Sequence, residues 1–334
     1  MILKYKKQSE FVKKSDIVPS LLLPCSDLRK NLSAVTTYDP VFYLKEMKDV
    51  IVRGGDFIIL DPNFNSFYAE GLCFNDRENY LASEGNLVMG EVNNSFSGLY
   101  FLLGDNKNFY HWLINYAPRL LLYNKFSLDC TLILSKERPA FVDDTLKILG
   151  FKGDILEVNN MDYVRVERLM VPNFFQNPMH SPTGLSFIRD KFISKIDNSK
   201  KADRKIYLSR NDGGYRRIIK NENEVVTVVK SFGYEVVYPS KLTMLEQVEI
   251  FNSCSKLISP HGAGLANLMF MQPGGEVIEL QNMNSYTKVF WELGKLSGCS
   301  KYSVIACNSA EGDTRFMNFR DLVVNIDELI AKLS

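Results

Sequence analysis

Between residues 206 and 306, short apolar runs alternate with longer segments of helical periodicity, and this alternation constrains the fold more than any other feature of the chain. Residues 206–209, 235–238, 256–259, 276–280 and 302–306 read as strands, and 222–231, 244–252, 264–271 and 287–297 as the helices between them. A strand that returns to its sheet through a helix lies parallel to its predecessor. The pattern therefore predicts a parallel sheet covered by helices on both faces. Ligands of such sheets sit beyond the carboxyl ends of the strands, which selects the loops to inspect.

The same text begins earlier, at Gly98. Residues 99–103, 131–134 and 155–158 read as strands, 108–123 and 140–149 as helices, and 164–171 alternates apolar with charged residues like a half-exposed strand. A helix over 183–196 leads into Asp197-Asn198-Ser199-Lys200-Lys201-Ala202-Asp203-Arg204, the best linker in the sequence. A chain of 334 residues exceeds one hydrophobic core, so we expect two α/β domains, 1–197 and 198–334, each Rossmann-like. Residues 1–95 set short apolar runs such as 57–60 among turn signals and give no regular pattern. Their aromatic residues, Phe64, Phe67, Tyr68, Phe74 and Tyr80, either stack sugar rings or fill a core.

Charge narrows the classes. With 40 Lys and Arg against 39 Asp and Glu, the chain lacks the basic excess of a nucleic-acid binder. The N-terminus carries no apolar run after its first charges, and no stretch reaches the roughly 18–20 apolar residues of a membrane span, so the expectation is a cytoplasmic protein. Lys4, Lys6, Lys7, Lys13 and Lys14 form either a solvated arm or a peripheral contact with an anionic membrane face. Six cysteines without a CxxC pair read as reduced thiols.

Two strand ends in the second half carry anion-binding chemistry. Strand 256–259 runs into Pro260-His261-Gly262-Ala263-Gly264-Leu265-Ala266-Asn267, where glycines admit a ligand to the backbone and the following helix points free N–H groups at it. His261, just before the turn, is placed to donate to a diphosphate. Strand 206–209 runs into Ser209-Arg210-Asn211-Asp212-Gly213-Gly214-Tyr215-Arg216-Arg217, and arginine presents phosphate oxygens with a planar fork of donors. Glu279, in the next strand, accepts ribose hydroxyls or pairs with an arginine; both readings stay open.

In this order, Leu208-Ser209-Arg210, Arg216-Arg217-Ile218-Ile219, Asn221-Glu222, Ser259-Pro260-His261-Gly262-Ala263-Gly264-Leu265-Ala266-Asn267, Pro273-Gly274 and Val277-Ile278-Glu279-Leu280 resemble glycosyltransferase family 61. Asn108-Phe109-Tyr110-His111-Trp112-Leu113, Pro118-Arg119-Leu120 and His180 with Pro182 and Leu185 are similar to its bacterial members. The resemblance implies a GT-B-like pair of Rossmann-type domains facing a central cleft, an inverting reaction and typically a UDP-sugar donor. It also implies a glycan or lipid-linked glycan acceptor, in the synthesis of capsule, lipopolysaccharide or another bacterial surface glycan. Gly213-Gly214 departs from the Ala or Ser usual in relatives and loosens the arginine loop.

On the acceptor side, Asn108, His111 and Asn115 share one face of the helix over 108–123, opposite an apolar stripe of Phe109, Trp112, Leu113, Tyr116 and Leu120. An inverting transfer needs a base for the acceptor hydroxyl, and histidine suits that task at neutral pH. His111 is the candidate base, or at least positions the acceptor, with Asp105 in reserve; His180 either lines the cleft or ends its loop. Arg210, Arg216, Arg217, His261 and the backbone of Gly262, Ala263 and Gly264 are the candidates for the diphosphate. Asp143-Asp144 sits in a helical pattern, and no isolated Asp-x-Asp signature appears, so neither a divalent metal nor a further cofactor is expected.

Two rival classes remain. Gly262-Ala263-Gly264 with Glu279 imitates a nicotinamide dinucleotide fingerprint, but Asn267 takes the third glycine's place and the arginine loop is left without a task. A catalytically silent binding protein would not need Asn108, His111, Arg210 and His261 together.

Overall fold

The computed structural model describes residues 4–6, 44–63, 66–68, 91–172, 180–211, 216–316 and 319–334. Lys7, Lys13, Lys14, Phe64, Phe74, Tyr80, Cys25, Cys73 and the Gly213-Gly214 pair lie outside the described residues, as do the side chains of Lys4, Lys6, Phe67 and Tyr68. The chain forms two compact units that divide between Ile188 and Arg189. No helix among the described residues is long and apolar enough to cross a membrane.

Among the described residues, the first unit is built on eight strands: β1 (Lys4–Lys6), β2 (Leu44–Arg53), β3 (Ile59–Leu60), β4 (Ser66–Tyr68), β5 (Val92–Leu102), β6 (Thr131–Ser135), β7 (Ile155–Val158) and β8 (Tyr163–Pro172), in the spatial order β1-β4-β3-β2-β8-β5-β6-β7. The expected Rossmann-like sheet is present only in part. β8, β5, β6 and β7 run parallel, whereas β2 lies antiparallel to both β8 and β3, so the sheet is mixed. The physical reason is the partner of β8: Leu44–Arg53 comes from the stretch without a local pattern and pairs along the whole of β8, from Leu44 with Pro172 to Arg53 with Tyr163. The core beneath these strands gathers Val50, Val52, Phe57, Ile59, Leu102, Ile133, Val166 and Leu169.

After β5 comes a helical segment, α1 (109–125), whose geometry changes three times. It opens with an α-turn, Phe109–His111, widens into a π-helical stretch, Trp112–Tyr116, tightens to a 3-10 turn, Ala117–Arg119, and closes as α-helix, Leu120–Lys125. Pro118 has no N–H to give to the preceding turn, so a regular ladder cannot run through it. The Ala117 N–H reaches back to the carbonyl of Trp112 instead. The expected amphipathic helix is corrected on this point: Trp112, Leu113, Ile114, Asn115 and Tyr116 are all buried, and no polar face remains in the π-helical stretch. α2 (Ala140–Ile148) returns the chain from β6 to β7.

α3 (Pro182–Ile193) leads through the polar linker to the sheet of the second unit. Its sheet follows the order β10-β9-β11-β12-β13-β14, with β9 (Arg204–Leu208), β10 (Glu235–Val237), β11 (Cys254–Pro260), β12 (Glu276–Asn282) and β13 (Lys301–Ser309) all parallel; β14 (Leu322–Val323) closes one edge antiparallel. α4 (Glu222–Ser231), α5 (Met244–Asn252), α6 (Val289–Leu296) and α7 (Ile326–Leu333) complete the alternation. Thr243 and Glu246 start α5 with reciprocal side-chain-to-backbone bonds, the pattern of a capping box. One core of this unit joins Tyr207, Val225, Val229, Ile258, Leu280, Ile305 and Leu329.

The helix expected at 264–271 is a 3-10 helix, Ala263–Phe270. Asn267 explains part of this, because its Nδ2 donates to the carbonyl of Gly264 (3.1 Å), which an α-helix would offer to the backbone of residue 268. Gly264 lets this helix sit against β9: a Cβ there would meet Leu208 Cδ2 at 2.9 Å.

Candidate functional site

The carboxyl ends of β9, β11 and β12 assemble one group of the expected residues. Ser209 follows β9 with its N–H on the carbonyl of Val237 (2.9 Å), and its hydroxyl and that of Tyr207 both donate to the buried Glu222 (2.8 and 3.0 Å). This fixes the backbone from which Arg210 leaves. The Arg210 guanidinium lies directly over Gly262: a Cβ on that glycine would overlap Nη1 and lie 2.6 Å from Cζ. Gly262 is extended (φ 170, ψ 172), a backbone any residue adopts. In this arrangement the glycine leaves room for the guanidinium above it.

Arg216 and Arg217 are half-buried. The Arg216 guanidinium stacks on the Phe319 ring at 4.6 Å, and its carbonyl accepts from Arg210 Nη2 (3.4 Å). Arg217 holds φ 56, an unfavourable left-handed conformation for an arginine. Asp321 pins this loop by accepting from the Ile218 N–H (3.0 Å) and pairing with Lys220 (3.1 Å) and Arg315 (2.9 Å). A pocket of about 180 Å³ opens at the same strand ends, lined by Leu208, Ser209, Arg210, Pro239, Ser240, Ser259, Pro260 and Gly264.

His261 donates its backbone N–H to the carbonyl of Leu280 (2.9 Å), and its Nδ1 bonds Glu279 Oε1 at 2.6 Å. Glu279 is fully buried, and its second oxygen accepts from the Tyr302 hydroxyl (2.7 Å) and Gln281 Nε2 (2.8 Å). Three protein donors meet the Glu279 carboxylate, and His261 is the partner it shares with the surface. Tyr302 and Gln281 were not legible as site residues. The register pairs Val277 with Tyr302 and Glu279 with Val304, so Tyr302 reaches Glu279 on the diagonal, a relation that needs the sheet.

The first unit brings together the other group. Asn108 caps α1, its Oδ1 accepting from the backbone of Tyr110 (3.0 Å) and His111 (3.4 Å). Removing this cap, in Asn108→Ala, should cost about 1 kcal/mol of stability, read by urea unfolding. His111 Nδ1 faces Asn115 Oδ1 at 3.1 Å. An amide oxygen only accepts, so Nδ1 carries the proton and Nε2 is the free base. Burial pushes the His111 pKa down, with the Asn115 bond working against it, which favours the neutral ring.

His180 is fully buried and bonds Tyr110 through Nε2 (2.9 Å); burial pushes its pKa down to about 3. It therefore braces the turn that carries His111 and does not line an open surface. Asp105 is buried beside the backbone N–H of Ser135, 2.6 Å away, and burial raises its pKa. That bond ties it to the end of β6, a structural task competing with the reserve-base role. Arg119, which follows Pro118, is also buried and donates to the Leu103 carbonyl (2.7 Å).

The second unit thus presents arginine and histidine at strand ends where a doubly wound sheet takes a phosphorylated ligand, and the first unit holds an oriented neutral imidazole. Residues 109–278 match the family Glycosyltransferase 61. The protein is a glycosyltransferase. The match spans about half of the chain and takes in His111, Arg210 and His261, and the chain belongs to glycosyltransferase family 61. Comparison with curated proteins returns no match.

Proposed function

We propose that the enzyme is GT-B-like, takes a nucleoside-diphosphate sugar, a UDP-sugar, in its second unit, and transfers the sugar with inversion to a glycan hydroxyl. The observation that carries this reading is the Arg210 guanidinium seated on Gly262 beside the pocket at the ends of β9 and β11. A permanently charged fork, the backbone of Gly262, Ala263 and Gly264, and His261 supply what a departing diphosphate needs: donors fixed before the charge develops. The first unit supplies His111, whose Nε2 takes the proton of the acceptor hydroxyl as that oxygen attacks the anomeric carbon. The carbon–oxygen bond to the diphosphate breaks as the new one forms, and the electron pair leaves with the diphosphate. Arg210 and His261 neutralise that charge, so no divalent metal enters the scheme. By the same reading, the acceptor is a glycan or lipid-linked glycan of a bacterial surface polysaccharide, met at the cytoplasmic face of the membrane.

Thermal unfolding with millimolar UDP, GDP, CMP, NAD or NADP tests the donor class. A ligand at about 100 times its dissociation constant adds about 2.7 kcal/mol to stability, a shift of a few degrees. We expect UDP to stabilise the protein and Arg210→Ala to weaken the effect. Stabilisation by NAD or NADP alone contradicts the reading.

A further inference from the structure

The two half-buried histidines are held by opposite partners. His111 Nδ1 meets a neutral amide, Asn115, whereas His261 Nδ1 meets the carboxylate of Glu279. Glu279 has no exposure, while the His261 side chain keeps 18 % of its own, so the buried end of this pair is the acid and the accessible end is the ring. With Nδ1–H given to Glu279, only Nε2 remains to meet a ligand. A neutral ring of this tautomer offers a lone pair there, which repels an anion; a ring with the second proton offers an N–H.

We propose that Glu279 is a positioning residue that makes His261 work as an imidazolium, with Nδ1–H on the carboxylate and Nε2–H on the departing diphosphate. This rests on the diphosphate-donor reading and adds to it the charge state of the ring and the residues that set it. Tyr302 and Gln281 belong to the device. Their donors hold the second carboxylate oxygen, at 2.7 and 2.8 Å, and keep Glu279 aimed at the ring. Gln281 is itself fixed, bonding both the carbonyl and the N–H of Thr287 at 3.0 Å. The groups around the ring act in both directions: Glu279 favours the second proton, the neutral Tyr302 hydroxyl supports Glu279, and the Arg210 guanidinium over the adjacent Gly262 opposes it. Phe290, from α6, contributes an uncharged wall 5.1 Å from the imidazole. A diphosphate bound between Arg210 and His261 removes the opposition, so ligand and proton bind together.

The chain has three histidines, which makes the test direct. With 15N-labelled histidine in the full-length protein, the ring nitrogens report tautomer and protonation, and His261→Asn identifies the His261 signals. At pH 7.5 with saturating UDP we expect both His261 nitrogens to be protonated and the His111 ring to be neutral. In Glu279→Gln, UDP binding should weaken about tenfold and the two-proton pattern should disappear; in Tyr302→Phe, the milder change, binding should weaken about threefold. A neutral His261 ring in a protein that binds UDP overturns the inference alone, as does unchanged UDP affinity in both folded variants. No response of any histidine ring to UDP, with no heat of binding, overturns the donor reading together with the inference.

Discussion

Replacing His111 with alanine should lower the turnover of sugar transfer by about a hundredfold or more while leaving UDP affinity within about twofold of the unaltered enzyme. The loss follows from where the proton sits. Asn115 is buried within the π-helical stretch, and its amide oxygen fixes the Nδ1–H tautomer from 3.1 Å, leaving Nε2 as the basic atom. Behind it, Tyr110 is clamped by the buried His180, and Asn108 caps the same turn. A ring so held loses little freedom when an acceptor arrives, which is the condition for an efficient base.

The pH dependence follows with a definite sign. The base works in its neutral form, and burial lowers the His111 pKa, so the acid limb of kcat/KM should fall below pH of about 6.5, the ordinary histidine value. Activity is then kept through neutrality and lost only as pH drops through the depressed value. Asn115→Asp places a carboxylate on Nδ1 and should move that limb upward, toward neutral pH. Steady-state kinetics across pH, with UDP binding followed by calorimetry, measures both. Near-normal turnover in His111→Ala removes the base role and returns Asp105 for consideration, although its bond to Ser135 would first have to open.

The second unit was legible in the sequence because its signals are local. α4 and α5 occupy the residues their periodicity indicates, and α5 carries its own start signal in Thr243 and Glu246. The strand ends bearing Arg210 and His261 followed from the alternation. What failed was non-local or depended on a broken ladder. β2 pairs with β8 across more than a hundred residues and gives no sign of this in its own pattern. Pro118 was visible, but periodicity alone could not say that the turn before it would widen and turn Asn115 inward to His111. Glu279 was found as a carboxylate at a strand end, but its protein partners His261, Tyr302 and Gln281 could not be read, because sheet register and burial choose them. Residue chemistry located the candidates; their division of labour came from what stands behind each of them.

Arg210→Ala should lower kcat/KM for the donor by about a hundredfold, the cost of removing one preorganised donor from a developing anion. Gly262→Ala supplies the sharper test. A methyl group there overlaps the tip of a flexible side chain, not backbone, so the fold should absorb it and melting should shift by about 2 °C or less. The guanidinium, however, must leave its seat, and the donor kcat/KM should fall by about tenfold or more with no charge removed. If Gly262 acts only by seating Arg210, adding Gly262→Ala to Arg210→Ala should cost nothing further: the two changes share one route and cannot be additive. Full additivity in that cycle would mean that the glycine meets the diphosphate through its own backbone, and that Arg210 and the turn are two separate contacts. A Gly262→Ala enzyme with unaltered donor kinetics would instead show that the guanidinium serves the diphosphate from another rotamer, and that its place over the glycine is a resting position.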